Sequence, residues 1–379
     1  MTQTKVEAPF VQNNAHFKNL IINGDMQIAQ RATAATTIGS AFHMNTIDRW
    51  YGMESTDGTA TLERHDMSAA EKVTTGQHYA LEWNCTGADG TIGASQYAGA
   101  AYYVEAQHLY PLLYGTSSAK TFTLSFWVKS NTTGTYSIGL AKNDSTVYYY
   151  GATYAISSAD TWEYKTIVIT PTAGSTSLIT GANGIINNDN GIGLQFFFYT
   201  ALGSTWHGTA NQWSSSAIYG TSDQPNLMAS TSNNWYIAGV QLEVGDAASD
   251  FEYLPVDVQL QRCKRYYVKL TGSYAQFGQI YNGHYNGTNQ FQGAYTYPVQ
   301  MRAAPTLSHT TTSSNNASSA YAIATTGSID YIDSLLLYNA NDRTTLLYTG
   351  SGQASNDTGM GGNMYVQSAI SELALVAEL

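Results

Sequence analysis

Residues 121–130 read TFTLSFWVKS, with Phe122, Leu124, Phe126 and Val128 alternating against Thr121, Thr123, Ser125, Trp127 and Lys129. Successive side chains of a strand point to opposite faces, so strict period-two alternation specifies a half-buried β-strand. One set of side chains is destined for a core. The other carries threonine, serine, tryptophan and lysine, and what that second face meets is the functional question.

The same texture recurs along the chain. From Asn19 to about Tyr253, short strand-like runs are divided by Gly, Asn and Ser clusters: LIING (20–24), HYALEWNC (78–85), GTYSIGLAK (134–142), STVYYYGATY (145–154), WEYKTIVIT (162–170), GIGLQFFFYT (191–200) and NWYIAGVQLEVG (234–245). Eight or more strands without βα alternation predict an all-β sandwich or jelly roll. Only 11% of residues are charged, while 29 tyrosines and 34 glycines supply the sheet and turn chemistry.

At Phe251 the period changes. Val256, Leu260, Cys263, Tyr267 and Leu270 recur at three- and four-residue spacing, which predicts one short connector helix over 255–270, with Pro255 in its first turn and Lys264, Arg265 and Lys269 towards its end. Residues 271–379 return to β character and predict a second, smaller C-terminal β-domain. DSLLLY and TTLLYTG flank NAND as a hairpin, and SELALVAEL alternates Leu373, Leu375, Ala377 and Leu379, as a strand held in a sheet would. The predicted division is an arm at 1–17 that docks on a partner or stays loose, a sandwich at 18–254, the helix at 255–270 and the C-terminal domain at 271–379.

Several partner classes are excluded on charge and patterning. A formal net charge of −11, with no basic run beyond Arg262-Cys263-Lys264-Arg265, argues against nucleic acid. The apolar runs are too short to span a bilayer, so no membrane insertion is expected. Two cysteines, Cys85 and Cys263, predict free thiols and no disulfide framework.

Taken together, NLIINGDMQIAQR (19–31), TIDRWYG (46–52), FTLSFWVKSNTTGTYSIGL (122–140), TWEYKTIVI (161–169) and WYIAGVQLEVGDAASDFEYLPVDVQLQRCKRYY (235–267) resemble phage and prophage virion proteins of tail-fibre or decoration type. YPVQMRAAPTLS and the final AEL fit the same layout. The resemblance covers about 18–310 and the last strand. It implies a carbohydrate-binding-module-like jelly roll, a virion location after assembly in a host cytoplasm, other virion proteins as partners and a homo-oligomer, with a trimer as first guess. Related jelly rolls hold a structural calcium ion between their opening and closing strands. Here Met26 and Gln27 stand where Phe and Glu are common, which leaves Asp25 and Glu243 as calcium candidates against the plainer reading of two turn carboxylates.

No catalytic constellation is visible, and the expectation is a protein that is not an enzyme. Metal-protease, Walker-loop and nucleophile-elbow motifs are absent. The histidines, among them His43, His65, His108 and His207, are scattered and read as surface or hydrogen-bonded core residues. A polysaccharide depolymerase needs two carboxylates close in space, yet the predicted strands hold few acids, Glu82 and Glu163 among them. Aromatic platforms remain, since Trp and Tyr stack on the C–H faces of sugars. If their strands are neighbours in one sheet, Trp127, Gln195, Phe197 and Tyr199 line one outer face, with Tyr149 at its edge. That face meets a host glycan, as in a tail fibre, or a sister subunit, as in capsid decoration. Trp50, Trp83, Trp162 and Trp235 are read as packing residues.

Overall fold

The computed structural model describes residues 17–39, 41–44, 46–270, 278–286, 290–309, 321–325, 329–332, 335–349, 360–366 and 373–379. Of the arm, residues 1–16 therefore lie outside the described residues. Two antiparallel sheets form a sandwich. The front sheet has six strands, in spatial order Thr36–Thr37, Thr59–Asp66, Tyr79–Gly87, Asn234–Val244, Phe122–Ser130 and Glu163–Ile169. The back sheet has seven: Trp213–Ser214, Tyr148–Ile156, Gly134–Lys142, Ile192–Leu202, Tyr97–Glu105, Trp50–Glu54 and Ala41–His43. The chain crosses repeatedly between the sheets, so the long front-sheet strands meet partners distant in sequence, a jelly-roll arrangement.

Alternation sets what lies between the sheets. Phe122, Leu124, Phe126 and Val128 enter the core from the front, where they meet Leu194, Phe196 and Phe198 from the back. Trp50, Trp83 and Trp235 are fully buried in this core. Trp162 is also buried, but in a small cluster with Met67, Ala80 and Ala238 outside the main core.

Two local expectations change. LIING is not a strand: the chain bends at Ile21 and turns over residues 22–25. Asn23 and Met26 take left-handed φ of 62° and 57°, and the Asn19 carboxamide oxygen accepts from the backbone of Ile21 and Leu242, so local side-chain bonds displace a ladder. A Cβ on Gly24 would stand 2.0 Å from the Val240 carbonyl oxygen, which is why the turn can press on the Asn234–Val244 strand. A second helix, Ala69–Thr75, joins the expected one. Ser68 and Glu71 form a reciprocal capping box and Gly76 closes the helix at φ 72°.

The connector helix spans Val256–Lys264 and buries Gln259 and Cys263, while Val256 faces solvent. Tyr267 has left it for the strand Tyr267–Lys269, which pairs with Leu373–Val376. That last strand lies between Tyr267–Lys269 and Thr306–His309. Another seven-stranded sheet completes the C-terminal part, in order Ile329–Ile332, Tyr321–Thr325, Gly361–Val366, Gly278–Tyr285, Phe291–Thr296, Thr344–Thr349 and Leu335–Tyr338. The expected hairpin is present as the last two of these, paired antiparallel. Both cysteines are free and buried. Among the described residues no helix is long and apolar enough to cross a membrane.

Candidate functional site

Trp127 does point away from the core, but it lies on the front sheet, whereas Gln195, Phe197, Tyr199 and Tyr149 lie on the back sheet. The expected single face with all five residues therefore does not exist. Parity along a strand assigns a face; it does not say to which sheet the strand belongs.

The front face is covered by the chain's own segments. Thr123 and Ser125 are buried although they point outwards, because the Gly245–Tyr253 stretch folds over them. Thr123 Oγ1 donates to the Gly245 carbonyl at 2.9 Å, and Tyr253 reaches across to the Gly76 carbonyl at 2.9 Å. The Ala69–Thr75 helix adds Glu71, which accepts from Lys129 Nζ at 2.6 Å and from Trp162 Nε1 at 3.0 Å. Trp127 is half-buried and tilts against Tyr164 at a centroid distance of 5.2 Å. The acids here are already engaged: His65 lies between Glu82 at 3.1 Å and Glu71 at 3.4 Å. Hydrogen bonds that His65 donates to these carboxylates, Glu82 foremost, raise its pKa against the effect of burial.

The back face is aromatic and is also crossed by the chain, so Tyr103, Phe197 and Tyr199 are buried. Its registers set large residues against small ones across neighbouring strands. One row reads Met53, Gly99, Tyr199; the next reads Tyr51, Ala101, Phe197, Gly139, Gly151; a third reads Tyr103, Gln195, Ala141, Tyr149. The small positions leave room above the sheet. A Cβ on Gly139 would come within 2.6 Å of the Tyr219 ring, so only glycine lets the returning 203–220 segment lay Tyr219 on the strands. Trp206 is fixed beside it by an Nε1–H bond to the Ser95 carbonyl at 3.2 Å, and its ring lies 5.8 Å from that of Tyr219.

These rows and the crossing segment enclose a cleft of about 240 Å³. Phe197 is its centre, 6.0 Å from Phe42, 6.2 Å from Tyr103 and 5.3 Å from Tyr219. Tyr97, Tyr199, Trp206 and Met53 complete the apolar lining, and Gln195 is its amide. Gln195 Oε1 accepts from Asn143 Nδ2 at 3.0 Å, and its side chain bonds to the Tyr103 phenol. Burial holds the Tyr103, Tyr199 and Tyr219 phenols above their ordinary pKa, so all three stay protonated at neutral pH. None of the nine lining residues is an Asp, Glu, His, Lys, Arg or Cys. The site thus keeps Gln195, Phe197 and Tyr199 from the sequence reading, has Tyr149 behind Tyr219 at 5.3 Å, and loses Trp127. Phe42, Met53, Tyr97, Tyr103, Trp206 and Tyr219 were missed. The first four sit in short or ambiguous runs, and the last two on a connection with no period.

A larger cavity, about 580 Å³, lies where the sandwich meets the last strand. Arg31 and Glu378 both line it and pair with each other at 3.1 Å, so its charges are spent on holding the two parts together.

The calcium candidates Asp25 and Glu243 belong to no group of three or more His, Cys, Asp and Glu among the described residues. Glu243 accepts from the Ser249 backbone at 2.9 Å, from the Ser249 hydroxyl at 2.6 Å and from Gln241 at 2.9 Å. Asp25 accepts from Gln259 at 3.3 Å. Glu243 closes the turn to Ser249, and Asp25 reaches the connector helix.

No family model matches the chain, and no curated protein matches it. Among solved structures, the chain is similar to a family 11 carbohydrate-binding module of a cellulosomal cellulase of Clostridium thermocellum, at 16% identity over 56% of this chain and 99% of that one, with a TM-score of 0.24. It is also similar to the tandem family 22 carbohydrate-binding modules of a Paenibacillus barcinonensis protein, at 7% identity over 93% of this chain and 100% of that one, with a TM-score of 0.26. A family 16 carbohydrate-binding module gives 14% identity over 44% of this chain and 76% of that one, with a TM-score of 0.20. The fold rests on strand order and register, not on these likenesses.

Proposed function

We propose that the protein is a non-enzymatic, glycan-binding component exposed on a virion, of tail-fibre or receptor-binding type, and that the back-sheet cleft is its contact with the host surface. The observation that carries the binding part is the cleft itself: ring faces and edges around a space of about 240 Å³, with amide and phenol groups and no acid, base or charged side chain in the lining. Such a lining suits stacking on a sugar and has no carboxylate couple with which to hydrolyse one. The virion location is supported by the sequence resemblance.

The test is a host-envelope glycan array followed by titration of the best ligand. Trp206→Ala should weaken binding roughly tenfold, the scale of one lost aromatic contact, with an unchanged thermal midpoint. An array with no signal above background would sink the binding reading.

A second reading rests on the half-buried rim formed by Phe42, Tyr97, Trp206 and Tyr219. In a capsid decoration protein another copy would finish covering that rim. Light scattering separates the two: Trp206→Ala would then lower the oligomeric state and leave glycan binding nil.

A further inference from the structure

We infer that His65 is a pH-sensitive latch: as an imidazolium it ties the Ala69–Thr75 helix to the front sheet, and the loss of one proton loosens that tie. The device acts whether or not a ligand fills the back-sheet cleft.

Nδ1 of His65 lies 3.1 Å from Glu82 on the neighbouring strand, and Nε2 lies 3.4 Å from Glu71 on the helix. A neutral imidazole has one N–H and one lone pair, so it serves one carboxylate and turns a lone pair towards the other. Only the imidazolium donates to both. On its own strand, Glu63 stands across the ladder from Glu82, and Asn84 Nδ2 spans the two carboxylates at 3.3 and 2.9 Å. Arg64 is turned to the other side of that strand, against the Tyr79 ring. Asp66 and His78 are exposed. The Asn234–Val244 strand sets Tyr236 edge-on to His65, with ring centroids 5.2 Å apart and its hydroxyl donating to Glu82 at 2.9 Å. Lys129 lies over the Tyr236 ring and bonds to Glu71 at 2.6 Å. On the helix, Lys72 follows Glu71 about 100° further round the axis.

Glu63, Glu71 and Glu82 therefore share His65 and Lys129 as their cations. When the ring gives up a proton, the shorter contact to Glu82 keeps the remaining one, and the lone pair of Nε2 faces Glu71. Bonds to Glu82 and then Glu71 outweigh burial and raise the His65 pKa. A raised pKa means that the fold holds the proton more tightly. The stabilisation is complete below the ordinary pKa and is lost as pH rises through the raised one. Glu71 still accepts from Lys129 and Trp162 Nε1, so the helix loosens without detaching, and the Trp162 indole reports it.

The experiment follows the full chain by NMR across about pH 5.5–9. It reads the histidine ring titrations, with His65 assigned through His65→Gln. It also reads hydrogen-exchange protection of the Ala69–Thr75 amides and the Trp162 indole, corrected for the intrinsic pH dependence of exchange. The His65 midpoint should lie above its ordinary value. Helix and indole protection should fall roughly threefold to tenfold through that same midpoint, while the Phe122–Ser130 amides show no such step. His65→Gln should remove the step. Glu82→Gln, which leaves the Glu71 contact, should move the titration and the step to lower pH together, and it decides the matter if His65→Gln does not fold. A His65 midpoint at or below its ordinary value, a flat protection profile, or a step that persists in His65→Gln or stays in place in Glu82→Gln would overturn the latch.

Discussion

Lys142 shows how one residue far from any ligand supports the cleft. It is fully buried, and its ammonium donates to the carbonyls of Asp144, Asn183 and Ile185 at 2.9, 3.1 and 3.0 Å. Burial lowers its pKa to about 8 despite the nearby Asp144. The next residue, Asn143, is the one that holds Gln195. Lys142→Met keeps the packing volume but strips three carbonyls of their donor, so a loss of about 2–4 kcal/mol is expected in urea unfolding. Asp48 behaves in the opposite pH sense. Burial raises its pKa to about 6, partly offset by Arg31 and by bonds from Gln30. A raised carboxyl pKa means the folded state prefers the proton, so ionised Asp48 costs stability at neutral pH and the cost is relieved as pH falls through 6 towards 4. Relative to Asp48→Asn, the wild type should gain up to about 3 kcal/mol between pH 7 and pH 4, read from unfolding curves across that range.

At the scale of elements, the short Ala69–Thr75 helix does more than its length suggests. Glu71 is at once half of its capping box and the acceptor for Lys129 and Trp162. Burial opposes its charge, but bonds from Lys129, Ser68 and Trp162 outweigh that and hold the carboxyl below the usual range. Ser68→Ala should cost about 1 kcal/mol. Glu71→Gln should cost more, roughly 1–3 kcal/mol, and change the Trp162 fluorescence, because it weakens the cap and the Lys129 pair together. Equal effects of the two substitutions would deny the hub role. This helix was legible as Ser68-x-x-Glu71 followed by Gly76, yet seven residues are too few for a periodic stripe to announce it. The long strands were legible because each carries four or more alternating positions: Phe122–Ser130, Gly134–Lys142 and Asn234–Val244 fall where the pattern placed them. LIING failed because asparagine side chains competed for its backbone.

For the whole molecule, the decisive contact is between the sandwich and the final strand. Arg49, at a left-handed φ of 75° and fully buried, pairs with Glu378 and donates to the Tyr103 carbonyl at 2.7 Å. Its cation lies 3.6 Å over the Tyr266 ring. Burial disfavours its charge, but Glu378 outweighs that and the pKa is raised. Arg302 adds bonds to the carbonyls of Ala377 and Glu378, both at 2.7 Å, and to that of Asn190 at 2.8 Å. Glu378→Gln should therefore destabilise by about 3–5 kcal/mol, since it leaves a buried guanidinium without its counter-charge. Limited proteolysis should then release the C-terminal part before the sandwich; simultaneous loss of both would mean that the two unfold as one unit.

Strand-by-strand alternation, set by the backbone geometry of neighbouring residues, was enough to establish an all-β chain, most strand positions and which side chains leave the core. It was not enough to say which strands lie side by side, because sheet order is decided by pairings between strands far apart in sequence, such as Ile237 with Leu81. Trp127 and Phe197 obey the same parity, but the crossover between layers placed them on opposite outer faces. The Gly245–Tyr253 stretch and the Ala69–Thr75 helix then closed the first face, and the glycine floor with the 203–220 segment shaped the second into a cleft.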